Sequence, residues 1–473
     1  MDIDITGNFR YDFIMKKKSY EIRDPIHVFI KMDSTDREVM DSRPFQRLRY
    51  IRQLATSYLI YPGATHTRFE HSLGVMELAG RIFDTIMTPE NVHPEVSRVL
   101  DNINNPDALR YWRKVLKIAA LCHDMGHLPF SHAAEKDLLP QGWDHERITG
   151  ELILSDEMRN IWKNAPMPLE PEHIYKLALG KKGAKNMHYT DWETILSEII
   201  TGNSFGADRI DYLLRDSHFA GVAYGKFDHY RLIDTLRILP PPETNENREE
   251  LDSHFKKKNH EKYKEPMLGI EKGGIQAAEA LVLARYFMFS QVYFHRVRRI
   301  YDIHLKDFLA DWLSEKFPGE KKFPTNLEGH LSLTDNEVIT EMRNASLKRR
   351  KQGHIHAERI IGRKHFKMIY ERNPKDMKIN PYAINRIYSV LCEKYGKENL
   401  RYDEYPGRKG NSHFPVLMDD GRVIDAYAIS DTLKKIPASE FGYVFIEPKL
   451  RDKAEAWLKK HREEIIKIEQ ESL

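Results

Sequence analysis

The sequence predicts a mainly α-helical protein with a small α+β subdomain at its C-terminal end. Three observations carry that reading. Apolar residues recur three or four apart from about Ser34 to Glu320, the period of helices buried on one face. The breaks between those segments are short clusters of Gly, Pro or Asn. After about Asn373 the texture changes to short runs of β-branched and aromatic residues around a tight turn.

Taken in order, residues 1–19 form a polar tail with a Lys16–Lys18 run, and residues 20–372 form the helical domain. Within it Arg113–Cys122 is apolar on nearly all sides, as a buried helix requires. Thr190 and Glu193 have the spacing of a capping box before Ile195, Leu196, Ile199 and Ile200. Leu232–Pro240 and Pro266–Ile270 are expected to pair as a hairpin around a charged, mobile loop at 240–266. Gly274–Phe317 keeps a helical period throughout, which points to a central or interface helix. Residues 373–473 are the α+β subdomain. Its strands are expected at Leu400–Tyr405, Phe414–Met418, Arg422–Ala428 and Tyr443–Ile446, with a turn at Asp419–Gly421 and a closing helix over Leu450–Ile468.

With 41% apolar and 31% charged residues, the 473-residue chain has the balance of a soluble globular protein with a sizeable core. Its 74 basic and 71 acidic residues nearly cancel to +3, so electropositivity that serves a function must be local. Two cysteines, Cys122 and Cys392, cannot build a disulfide framework and suit a reducing compartment. No apolar run reaches the length of a membrane span, and the chain reads as cytoplasmic.

The sharpest local signal is Cys122-His123-Asp124-Met-Gly126-His127-Leu-Pro129-Phe-Ser-His132, where a buried helix runs into adjacent His and Asp and is stopped by Gly and Pro. A lone His-Asp pair is common by chance, and three further features strengthen this one. Arg68 and His71 are three apart on one helical face, so one can meet a metal and the other an anion. Asp208, Tyr212 and Asp216 share another face, opposite Ile210, Leu213 and Leu214. His132 and His145 follow in a His-rich stretch. Two imidazoles and two carboxylates suit Mn, Fe, Zn or Co better than Ca. The Cys122 thiol reads as core packing, not as a ligand.

Five blocks complete the pattern: Arg23-Asp-Pro-Ile-His27, Phe45 to Leu54, Pro62 to Gly74, the block around His123-Asp124, and Ala207-Asp-Arg-Ile-Asp-Tyr212. Together they resemble the HD-domain phosphohydrolases, whose pattern is H…HD…D, and within them the deoxynucleoside triphosphate triphosphohydrolase branch that includes the SAM-and-HD-domain enzymes. The likeness covers roughly Tyr20 to Arg372. It implies an HD-type helical bundle that holds one divalent metal ion (Mn, Fe, Zn, Co or Mg) through His71, His123, Asp124 and Asp208, with Mg accompanying the nucleotide. It further implies that Arg68, His132, His145, Arg209 and Tyr212 lie around the phosphates. Gln53, Leu54, Asp216, Arg285 and Tyr293 would surround sugar and base.

The resemblance implies release of a deoxynucleoside and inorganic triphosphate. Bottom-up, a nucleoside triphosphate carries about four negative charges, which one metal ion cannot balance without arginines. His132 or His145 has the chemistry to protonate the leaving oxygen, and the resemblance favours His132, steered by a neighbouring acid. The branch has an Asp shortly after its Ser-His pair, whereas this chain has Ala133, Ala134 and then Glu135. Asp41 and Arg49 match positions at which the resembling enzymes bind a regulatory nucleotide between subunits, which implies a nucleotide-activated homo-oligomer, dimer or tetramer. Tyr20 and Glu21 depart from that pattern, and the alternative for Asp41 and Arg49 is a plain surface ion pair across Pro44.

Two rival readings accompany this one. The HD ligands also serve hydrolases of monophosphates, (p)ppGpp and cyclic nucleotides, and His127, His132 and His145 could supply a second metal site. A nucleotide-sensing or nucleic-acid-binding scaffold would use Lys348–Lys351 and Lys256–Lys258, but no aromatic residues interleave those runs, so nucleic acid is not favoured.

Overall fold

The computed structural model describes residues 19–100, 102–131, 135–242, 265–405, 407 and 413–467. The expected tail, most of the 240–266 loop with Lys256–Lys258, and His132 lie outside the described residues.

The protein is mainly α-helical. Its centre is the helix Arg68–Ile86, which packs against Pro106–Cys122 on one side and Ala207–Ala220 on another. Each starts or ends for a local reason. Asn105 accepts the N–H groups of Asp107 and Ala108 at 3.1 Å each, and Pro106 takes the first helical position, where no N–H is needed. Val115, Leu116, Ile118, Ala119, Ala120 and Leu121 are fully buried, as the all-round apolar character requires. The capping box expected at Thr190 and Glu193 opens the helix Asp191–Thr201. These ends place three termini together: the start of Arg68–Ile86, the C-terminal His123 of Pro106–Cys122, and the start of Ala207–Ala220.

The sheets are small. Tyr20–Asp24 pairs with Val28–Met32 as an antiparallel hairpin. Leu236–Leu239 pairs antiparallel with Met267–Glu271, close to the expected hairpin, although Leu232 belongs to the preceding helix His229–Asp234. Phe441–Ile446 lies between Lys367–Glu371 and Leu400–Tyr405 in a three-stranded sheet closed by the helix Arg451–Lys467.

Two expectations change. Gly274–Phe317 is not one helix. It runs as Ile275–Met288, widens into a π turn over Phe289–Tyr293 and restarts at Arg296 after His295 caps the Val297 N–H. A π turn preserves the apolar period closely enough to be invisible in sequence. The segment beyond residue 413 also divides. Pro415–Leu417 pairs parallel with Met267–Glu271, and Phe414, Val416, Ala426 and Leu433 are buried in the same core as the helical body. The turn at Asp419–Gly421 forms as expected, with Gly421 at φ 84°. Among the described residues no helix is long and apolar enough to cross a membrane.

Candidate functional site

The three converging helix termini bring His71, His123 and Asp208 together, with one ligand-type atom of each within 4.8 Å of the others. The tautomers of both imidazoles follow from their far sides. His71 donates Nδ1–H to Asp211 Oδ2 at 2.8 Å, and His123 donates Nδ1–H to the Ala120 carbonyl at 2.8 Å. Each ring therefore turns an Nε2 lone pair inward. His71 Nε2 faces Asp208 Oδ1 at 3.1 Å, and His123 Nε2 is buried without a hydrogen-bond partner. Acceptors facing acceptors need a proton or a metal cation among them, and this mixed nitrogen and oxygen set fits a divalent metal that takes the place of that proton. Asp208 is the exposed member, with 38% of its side chain accessible, which leaves the group open on one side.

Asp124 stands beside these three, its Oδ1 3.4 Å from His123 Nε2 and its Oδ2 3.7 Å from His71 Nε2, and is also held by other partners. Arg68 Nη1 donates to Asp124 Oδ2, and His127 Nε2 lies 3.3 Å from Oδ1. Burial alone would raise the Asp124 carboxyl, but Arg68, His123 and His127 hold it well below the ordinary range. Burial would lower His71, yet the carboxylates of Asp208, Asp211 and Asp124 bring it up to about 10. That excess of negative charge is what a bound cation relieves.

Behind His71 lies a set that sequence reasoning quoted but did not assign. Asp211 also accepts from His27 Nε2 at 2.7 Å and from Arg215 Nε at 2.8 Å, and Arg215 reaches Asp24 at 2.8 Å. Gly74 permits this: a Cβ there would stand 2.0 Å from Asp211 Oδ1. The available signal was spacing, since Asp211 follows Asp208 by three and Arg215 follows Asp211 by four.

Glu135 meets His145, not open solvent: its Oε1 accepts the His145 Nδ1–H at 2.6 Å and the His145 backbone N–H at 2.7 Å. Burial disfavours the His145 cation, but Glu135 outweighs it and raises the imidazole. The His145 ring stacks on His127 at 4.0 Å, which sets it beside Asp124. Gly126 makes room, because a Cβ there would be 2.2 Å from the His145 carbonyl.

The expected substrate residues gather in part. Tyr293 donates to Asp216 Oδ2 at 2.8 Å, His66 holds Oδ1 at 2.7 Å, and the Tyr212 ring meets Tyr293 edge-on at 6.2 Å. Arg209 and Arg285 are near enough for their charges to repel, and burial lowers Arg209 further. The Nε atoms of both, and Oε1 of Gln53, are buried without partners. Leu54 is buried next to Gln53. Asp41 and Arg49 are exposed and do not pair with each other: Asp41 binds Arg37 at 3.2 Å, while Arg49 binds Gln46 at 2.9 Å and covers the Phe69 ring. Cys122 is buried and its thiol pushed up by burial, as a core residue.

A second ligand-type group, His304, Asp307 and His356, does not offer the same chemistry. Phe366 donates its N–H to His304 Nε2 at 3.3 Å, which leaves the neutral ring's proton on Nδ1, and Arg401 shares Asp307 at 3.4 Å.

A family model described as the HD domain matches residues 68–201, and one described as the HD associated region matches residues 259–390. An uncharacterized protein of Methanocaldococcus jannaschii is 30% identical over 428 residues, covering 89% of this chain and 76% of its own length. The chain belongs to the HD-domain family. Its fold is similar to the crystal structure of a hypothetical protein from Aquifex aeolicus, with a TM-score of 0.71 at 32% identity over 93% of this chain and 100% of that one. A further HD relative, deoxynucleoside triphosphate triphosphohydrolase SAMHD1 of Mus musculus, is 29% identical over 392 residues, which is 77% of this chain. The chain spans 56% of the length of that protein.

Proposed function

We propose that this protein is a metal-dependent hydrolase of deoxynucleoside triphosphates that releases the deoxynucleoside and inorganic triphosphate. The observation that carries the reading is the coexistence of the inward-facing His71, His123 and Asp208 with two neighbouring guanidiniums, Arg209 and Arg285, whose buried Nε–H groups lack acceptors. Buried donors without partners are costly, and the oxygens of a polyphosphate would satisfy them. The name of the mouse relative supports the same substrate class.

His71, His123 and Asp208, with Asp124 beside them, would hold the ion. A divalent cation bound there would supply Lewis-acid polarisation of a phosphoryl oxygen. The chain's own residues do the rest. Arg68, Arg209 and Arg285 bind anionic oxygens, and Tyr212, Asp216, Tyr293, Gln53 and Leu54 orient the nucleoside. His145, held by Glu135, which favours its protonated form, gives its proton to the departing 5′ oxygen. Activation by a second nucleotide near Asp41 and Arg49, in a homo-oligomer, belongs to the same proposal.

The test is product analysis. The purified chain is incubated with each dNTP and NTP and Mg or Mn, with and without a second nucleotide, and products are resolved by chromatography. Equimolar deoxynucleoside and triphosphate are expected. Release of orthophosphate or pyrophosphate alone would assign a different phosphohydrolase reaction.

A further inference from the structure

Asp335 is the first residue of the helix Asp335–Leu347, yet its side chain does not serve that helix. The capping there is done by Thr334 and Glu337. Asp335 is 2% exposed and spends both oxygens on two distant segments. Oδ1 accepts the Phe130 N–H at 2.7 Å, and Oδ2 accepts the Arg52 N–H at 3.0 Å.

Both segments border the site. Arg52 precedes Gln53 and bridges to Thr67, immediately before Arg68. Phe130 and Ser131 sit at φ 57° and 55°, a left-handed conformation that is strained for non-glycine residues and so must be held in place. Ser131 Oγ then joins the segments, accepting from Arg68 Nε at 2.9 Å and donating to the Arg52 carbonyl at 3.3 Å. Arg68 in turn holds Asp124.

We infer that Asp335 is a positioning residue for the reaction proposed above: its carboxylate clamps the Gln53 segment and the Ser131 segment in one register and thereby sets Arg68 against Asp124. The inference rests on that functional reading for its consequence, but not for its geometry. The clamp is costly to maintain. Burial pushes the Asp335 carboxyl up to about 6, against two backbone N–H groups and the charges of Arg52 and Arg47. Arg47 does not pair with it, because its guanidinium donates to the carbonyls of Leu333 at 2.9 Å and His127 at 2.8 Å, with Glu337 as its other acidic neighbour. A carboxylate buried this deeply is a poor stabiliser even with two amide donors, which separates its role from plain structural support.

The test uses the full chain and D335N. The carboxamide has the same shape but must turn an N–H donor toward one of the two amides. Expected results are a fall in kcat of about 10- to 100-fold with little change in KM, unchanged metal content and unchanged thermal midpoint. The acidic limb of the wild-type rate near pH 6 should also be lost in D335N. Hydrogen exchange should accelerate by about tenfold at the amides around Arg52 and Phe130 while the interior of Asp335–Leu347 keeps its protection. Wild-type kcat and unchanged exchange at both segments would overturn the clamp, as would a melting loss with exchange raised throughout the helix. If the wild-type chain hydrolyses no dNTP, the functional reading fails, and exchange at the two segments still decides whether Asp335 holds them.

Discussion

His71 and Asp211 are joined through the ring nitrogen that faces away from Asp208, Nδ1 to Oδ2 at 2.8 Å. This contact selects which nitrogen of His71 is free to bind a cation, and Asp211 is itself fixed by Arg215 and His27. D211N should therefore weaken divalent-metal binding by about 10- to 100-fold, as loss of an outer partner does. Calorimetric titration with Mn²⁺ reads this directly, and an unchanged Kd would remove Asp211 from the metal centre.

Replacing His123 and Asp124 together by Ala should abolish both bound metal and hydrolysis while preserving the helical circular dichroism spectrum, because both lie at a helix end and not within the apolar layer. Metal analysis and dNTP turnover check it. Retained turnover would refute the ligand assignment.

Glu198 gives a pH signature independent of the site. Burial lifts its carboxyl to about 7 from the ordinary 4.5, even though it accepts the Leu268 N–H at 3.0 Å. The folded chain thus holds this proton more tightly than the unfolded chain, so stability falls as pH rises from about 5 to 7 and the loss is complete by about pH 8. E198Q should remove that slope and be more stable than wild type at pH 8 by about 1–3 kcal/mol. Denaturant unfolding at pH 5.5 and pH 8 measures both, and parallel slopes for the two proteins would contradict the assignment.

Deoxyribose should be preferred to ribose. In the proposed placement of Leu54 and Tyr293 against the sugar, an added 2′-hydroxyl would lose water without gaining a partner, at a cost of about 1–3 kcal/mol. The ratio of kcat/KM for dGTP over GTP is the readout, and equal values under every activator condition would count against this placement.

Asp41 and Arg49 are both exposed; the partner of Asp41, Arg37, is exposed too, while the partner of Arg49, Gln46, is half-buried and donates to the Met40 carbonyl at 2.7 Å, which makes Asp41 the easier of the two to recruit to a ligand. Added GTP or dGTP should raise the mass seen by light scattering toward a tetramer and accelerate turnover, and D41A should blunt both. Constant mass with activator-independent, hyperbolic kinetics would leave these two as surface residues.

The helical body was legible because its signals are local. Asn105 and Pro106 start one helix, Thr190 and Glu193 another, and the apolar run before Cys122 ends where His123 begins. The resemblance pointed to His71, His123, Asp124 and Asp208 as a group; the structure brings His71, His123 and Asp208 together, with Asp124 beside them. The network behind them was not legible, because Asp24, His27 and Arg215 gain meaning only when chain segments some 190 residues apart meet, as in the Arg215–Asp24 pair. The partner of Glu135 lies only ten residues on, at His145, but which turn brings the two together is not written in their spacing. The break at Phe289–Tyr293 escaped because a π turn changes hydrogen bonding without changing residue character.

The parallel pairing of Pro415–Leu417 with Met267–Glu271 bears on how the chain is made. Phe414 packs its ring on Phe205 at 4.7 Å, across more than two hundred residues of sequence. The ribosome must therefore deliver residues 414–417 before the helical body can close. Until then Met267–Glu271 presents a bare edge and the core lacks Phe414 and Val416, the conditions under which nascent chains associate. A gene truncated near codon 373 should therefore yield inclusion bodies in place of a smaller enzyme.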